Sequence, residues 1–236
     1  MPEISIKAET LFQIGGFKVT NSLFLSFFVF LFLLALGLLY YREIRSGKHT
    51  GLYYFLNLVL RTLYNLFESI VHDKIGVFFP LLSAFFIWII FQNWSGLLPG
   101  VGSVLVGHIP LFRGNNADIN ATLALALVAV IMVQIYGVKF LGFKTYIQKF
   151  INFSNPVNFV LGILEIMSEF SKILSFTFRL FGNIFAGEVL LTIVAFLIPV
   201  LASFPFLILE VFMGLVQALV FSMLTSVFFS LAVSQH

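Results

Sequence analysis

Nineteen consecutive residues without a charge, 23–41, constrain the fold of this chain more than any other feature. At 1.5 Å per residue such a helix crosses about 30 Å of hydrocarbon. Two more uncharged stretches follow at 77–98 and 121–138, and two longer apolar ones at 157–198 and 206–232. Only 10% of the residues are charged and mean hydropathy is +1.07, whereas a soluble domain carries about 25% charged residues. The sequence could not cover a water-facing surface, so it reads as an integral membrane protein.

Several function classes fall away at once. Without cysteine there are no disulfides, thiol chemistry or sulfur-ligated metals. A net charge of +3 comes from basic residues scattered over short loops, which is no nucleic-acid stripe. The four histidines form no metal-ligand spacing, and no cofactor is expected. The first apolar run is too long for a secretory signal. No GxxxxGK[ST] phosphate loop is present, so any nucleotide chemistry would belong to another chain.

The expected fold class is an all-α membrane protein of five spans, with residues 1–236 forming one membrane domain. Residues 1–20 read as an external tail or short surface helix. In 51–74, Asn57, Arg61, Asn65, Glu68 and His72 share one helical face and Leu56, Leu60, Leu63, Phe67 and Ile70 the other. Such an amphipathic helix lies in the interface plane more readily than it crosses. The stretches 157–198 and 206–232 exceed one upright span, and joined by the short Pro199–Pro205 turn they read as a strongly tilted hairpin. Arg42, Arg45, Lys48, Arg61, Lys74, Lys139, Lys144 and Lys149 fall on one side of the membrane, against Lys7, Lys18 and Arg113 on the other. The positive-inside rule then sets the N-terminus outside and the C-terminus in the cytoplasm. An odd number of spans without internal repeat argues against an inverted-repeat transporter.

Ionisable groups inside a membrane are expensive enough to count as functional candidates. In 157–198, Glu165, Ser168, Lys172, Ser175, Arg179 and Asn183 recur at spacings of 3, 4, 3, 4 and 4. They fall within roughly 80° of one another on a helix. That polar stripe must line water or face polar groups of another protein. Glu188 stands half a turn away in angle from Arg179 and about 13 Å further along the axis. Glu210 and Gln217 share a face of the last span, with Glu210 at the depth of Glu188 and Gln217 near that of Arg179. Glu188, Glu210 and Asp118 could relay protons from the outer surface, while Glu165, Lys172 and Ser175 could line a path to the cytoplasm. Arg179 between them is a permanent cation. It blocks straight-through flow and offers an ion-pair partner to a carboxylate from another chain.

Plainer roles compete with these. Asp118 is a favoured helix N-cap, Lys172 could snorkel to the interface, and Glu165 and Glu169 could be interface charges. Gln217 could bond helix to helix, and Arg179 could bond carbonyls within the bundle.

The run SFTFRLFGNIFAGEVLL (175–191) resembles the signature of the membrane stator a subunit of rotary ATP synthases. The resemblance continues in FQNWSGLLPG (91–100), ADIN (117–120) and Glu210…Gln217, covering nearly the whole chain. It implies that Arg179 faces the carboxylates of a rotating c-subunit ring, between two offset half-channels. The outer one would hold Asp118, Asn183, Glu188, Glu210 and Gln217, and the inner one Glu165, Lys172 and Ser175. It also implies peripheral-stalk b subunits and the rest of the complex as partners, with no small-molecule substrate beyond the conducted ion. Family members often carry one histidine and one glutamate where Glu188 and Glu210 stand. Two acids leave both H⁺ and Na⁺ open as that ion. A self-contained channel or carrier and a purely structural anchor are the other classes. The N-terminal tail and the basic loop after the first span resemble bacterial members, pointing to the bacterial plasma membrane rather than an organelle.

Overall fold

The computed structural model describes residues 8–47, 49–98, 100–101, 104–150, 156–198 and 203–233. Lys7, Lys48 and the turns expected at Asn155 and Pro199 lie wholly or partly outside them. Of the two forms expected for the N-terminal stretch, an external tail or a short surface helix, the helix is not formed in its described residues: β1 (Thr10–Ile14) pairs antiparallel with β2 (Phe17–Thr20) as a β-hairpin. Gly15 and Gly16 join the strands at φ values of 56° and 88°, the positive-φ pair of a two-residue hairpin turn. The Gly-Gly pair between two short apolar runs carried that signal.

The rest is helical. Helix α1 (Asn21–Ser46) starts where Thr20 Oγ1 accepts the Leu23 amide at 3.3 Å, and ends at the left-handed Gly47. Then come α2 (Gly51–Val71) and α3 (Ile75–Ser95). Two short strands, β3 (Leu105–Val106) and β4 (Ile109–Pro110), ornament the loop before α4 (Ile119–Leu141). Helix α5 (Phe143–Gln148) is followed by α6 (Pro156–Leu197) and α7 (Ser203–Val233). Pro156 opens α6 at the position where a missing amide costs nothing. Among the described residues, five helical segments are long and apolar enough to cross a membrane: α1, Gly51–Ser95 (α2 with α3), α4, α6 and α7. At 42 and 31 residues, α6 and α7 run about 63 Å and 46 Å.

Within Gly51–Ser95 the chain breaks at His72, a non-glycine residue with φ of 52°. A side chain there costs of order 1–3 kcal/mol, so packing on both sides must hold it. Helix α2 buries Leu63, Phe67 and Val71 against the bundle, while Asn57, Arg61, Asn65 and Glu68 stay exposed. The polar face expected from the spacing therefore points away from the other helices.

Helices α3 and α7 pack antiparallel. Phe78 stacks on Phe229 at 4.6 Å between centroids and Phe85 meets Phe221 edge-on at 5.6 Å. At the other end of α3, Asn93 Nδ2 and Trp94 Nε1 donate to the Gly214 and Val211 carbonyls, both at 3.0 Å. Lys74 Nζ donates to the Val233 carbonyl at 3.0 Å, a cation on the final turn of α7. Helix α4 packs on α6 and α7, while α2 lies against α3 and α7. Helix α1 is peripheral: Phe27, Phe28, Phe30, Phe32, Leu34 and Leu38 are all exposed. Such a surface would be a liability in water and costs nothing against lipid.

Candidate functional site

The site lies along α6 and its neighbours. Phe176 stacks on Phe221 at 4.5 Å, and further along a side chain at Gly187 would collide with the Glu210 carboxyl group. These two contacts fix an antiparallel register for α6 and α7. Counting along it puts Arg179 opposite Ala218, beside Gln217, the depth relation expected from the sequence. Gln217 and Glu210 are buried and Asn183 is half-buried.

Arg179 is exposed on α6, where its Nη2 donates to Ser175 Oγ at 3.2 Å. The stripe residues Ser168, Lys172, Ser175 and Arg179 line one open recess of about 310 Å³, with Leu224 and Phe228 of α7 as its apolar wall. Three ion pairs are formed among the described residues, Arg113–Glu188, Lys149–Glu165 and Lys172–Glu169, and Arg179 is in none of them. The guanidinium thus stands at the edge of the bundle without a carboxylate from its own described residues.

At one end of α6, Lys149 holds Glu165 at 2.8 Å and Glu169 holds Lys172 at 2.6 Å, with the ammonium also 4.8 Å from the centre of the Phe228 ring. Two of the residues expected along an inner path therefore have ion-pair partners, Lys149 and Glu169, that lie outside the expected path. Tyr146 of α5 lies nearby, its hydroxyl donating to Gln134 Oε1 at 2.5 Å. Burial, with the Glu169 and Glu165 charges, pushes this phenol up to about 12. The ring lies so close to Gly137 that a side chain there would collide with it.

The other end gathers the acids. Asp118 caps α4 by accepting the Asn120 amide at 3.0 Å, so the capping role is present, and its second oxygen accepts from Ser22 Oγ at 3.2 Å. Asp118 therefore ties α1 to α4. Glu188 pairs with Arg113 at 3.6 Å, and Arg113 Nη2 also reaches the Ala117 carbonyl at 3.4 Å, next in sequence to Asp118. Glu210 presents its carboxyl group in the space beside Gly187. Asp118, Glu188 and Glu210 thus lie toward the same end of α6, and Glu188 stands about half a helical turn in angle from Arg179.

Sequence reasoning passed over two parts of this end. From the sequence Arg113 is only an outer-side charge, yet it is the buried ion-pair partner of Glu188. Asn116 Nδ2 donates to Asn93 Oδ1 at 2.6 Å, and Asn93 in turn grips the Gly214 carbonyl. The FQNW run contains Asn93, but an amide within an otherwise apolar span gives no sign of its partner.

Comparison with known proteins decides the family. The profile of the ATP synthase A chain family matches residues 23–230. The chain belongs to this family. Its similar proteins include the ATP synthase subunit a of Moorella thermoacetica, 30% identical over 98% of this chain and 99% of that protein. The chloroplastic subunit a of Stigeoclonium helveticum is 31% identical over 99% and 93%. Subunit a of Gloeobacter violaceus is 36% identical over 75% and 71%. Membership carries an ion-translocating role in the membrane sector of an ATP synthase complex, and the all-helical membrane fold agrees with it.

Proposed function

We propose that this chain is the proton-translocating stator subunit of its complex, and that Arg179 works against a carboxylate on a rotating ring of c subunits. One observation carries this reading. Arg179 is exposed on the open side of α6 and enters no ion pair among the described residues, while Arg113, Lys149 and Lys172 each pair with a glutamate. A permanent cation left open in a low-dielectric setting needs an anionic partner. A mobile carboxylate passing the recess would supply one.

Two offset half-paths follow from the separation of the groups. Protons enter among Asp118, Glu188 and Glu210, with Asn183 and Gln217 leading toward the depth of Arg179. They leave along Ser175, Lys172 and Glu165 on the stripe. The fixed guanidinium keeps the two paths from joining, because a proton reaching it meets a positive barrier. Transfer between paths then requires a carboxylate to carry the proton around, which couples flow to rotation and ATP synthesis on other subunits. Residues 1–236 act as one membrane unit with α2 in the interface. Peripheral-stalk b subunits hold it still, in a bacterial plasma membrane with the N-terminus outside.

Cysteine crosslinking tests the partner. Single cysteines at Ser171 and Ser175 are expected to link to a carboxylate-bearing ring subunit in native membranes, and no link from either position contradicts the reading. The two-acid outer end also suits Na⁺. Coupled pumping in Na⁺-free medium is expected to continue, and its loss there replaces H⁺ with Na⁺.

A further inference from the structure

Arg113 comes from the α3–α4 connection, yet its exposure is only 7% and its guanidinium reaches Glu188 Oε2 at 3.6 Å. It also donates to the Ala117 carbonyl at 3.4 Å, immediately before the Asp118 cap. A charge that deep in a connecting segment stays only where a partner compensates it. The partner is one of the two acids assigned above to the outer path, and the other acid is placed differently. Glu210 is 6% exposed, makes no ion pair among the described residues, and has its carboxyl group beside the Gly187 backbone. Two glutamates that look interchangeable in the sequence thus have unlike surroundings, and Arg113 makes the difference.

Building on the proposed proton path, we infer that Arg113 is a positioning residue of the outer half-path. It holds Glu188 toward the connecting segment as a fixed, charge-matched wall. Glu210 is left as the carboxyl group that takes up and releases the travelling proton. The device rests on simple electrostatics. A carboxylate matched to a buried cation has little to gain from a proton, and its side chain is held by the pair. An acid without such a partner is free to exchange. The pair also orders the entrance, since the same guanidinium is tied to the backbone of the turn that leads into α4. Removing Arg113 would release Glu188 to compete with Glu210 and would leave a half-buried carboxylate unmatched.

The test uses the whole complex in membrane vesicles, reading passive proton conduction after the catalytic sector is stripped, per assembled complex. Arg113→Gln is expected to slow conduction by about tenfold, the size of a coupled ionic pair. Arg113→Lys, which keeps the charge, is expected to restore most of the rate. Arg113→Gln combined with Glu188→Gln is expected to be no slower than the slower single variant, because the double change leaves no buried charge unmatched. A wild-type rate in Arg113→Gln overturns the inference, as does a lysine variant no better than the glutamine one. A double variant whose loss equals the product of the two single losses overturns it too. If Arg113→Gln does not assemble, Arg113→Lys is measured on wild-type and Glu188→Gln backgrounds. An effect confined to the wild-type background supports the pairing, and an equal effect on both overturns it. Arg179→Ala in the same vesicles keeps the two levels apart. Its coupled pumping, read before the catalytic sector is stripped, reports on the proposed function, whatever Arg113 does.

Discussion

At the scale of single residues, Gly187 and Asp118 give the sharpest expectations. A methyl group at Gly187 would fall on the Glu210 carboxyl group. Gly187→Ala must therefore push that acid aside or part α6 from α7, and overpacking of this kind costs about 1–3 kcal/mol. Proton conduction in assembled complexes should fall well below wild type. An unchanged rate would mean that Glu210's position is immaterial. Asp118 does two jobs that one pair of substitutions separates. Asp118→Ala removes the cap and the Ser22 bond, an expected loss of about 1 kcal/mol in the thermal stability of the purified complex. Asp118→Asn keeps an acceptor for the Asn120 amide but removes the charge. Normal stability with reduced conduction would place Asp118 in the path, whereas normal values of both would leave it a cap alone.

Among the elements, α5 is the one the sequence hid. Six residues, Phe143–Gln148, fold back over α4 because Gly137 leaves room for the Tyr146 ring and Gln134 accepts its hydroxyl. Tyr146→Phe keeps the ring and loses the bond, at an expected cost of about 1 kcal/mol. The raised phenol also gives a sign for pH. The folded group keeps its proton from the ordinary value of 10.0 up to about 12, so the folded state binds more protons across that window. Its stabilising contribution is complete below pH 10 and is lost as pH rises toward 12. Thermal unfolding of the purified complex should show that alkaline slope, and Tyr146→Phe should remove this residue's share. The spans themselves were legible, because uncharged runs and the 3.6-residue period fix where an apolar helix begins and ends within a few residues. The Gly15–Gly16 pair signals a hairpin turn, but the flanking strands are short and mixed in polarity, so they carry no clear strand period. The break between 51–74 and 77–98 was legible, but its positive φ at His72 had no comparable signal. Backbone with positive φ at a histidine is imposed by packing on both sides and not by local preference.

For the molecule as a whole, the sequence displayed the stripe from Glu165 to Asn183 and the half-turn offset of Glu188, both consequences of helical period. It could not display which charges find partners across helices. Lys149 with Glu165 and Arg113 with Glu188 join residues far apart in the chain, and no periodicity reports on such pairs. Those pairings sharpen Arg179, the exposed cation of α6 that meets no acid in the described residues. The central claim is that this guanidinium divides two half-paths and engages a carboxylate of a partner ring. The most direct measurement is ATP-driven proton pumping by inverted vesicles carrying the assembled Arg179→Ala complex. Abolished pumping, with the complex still assembled and still hydrolysing ATP, is the expected result, and retained coupled pumping would contradict the account.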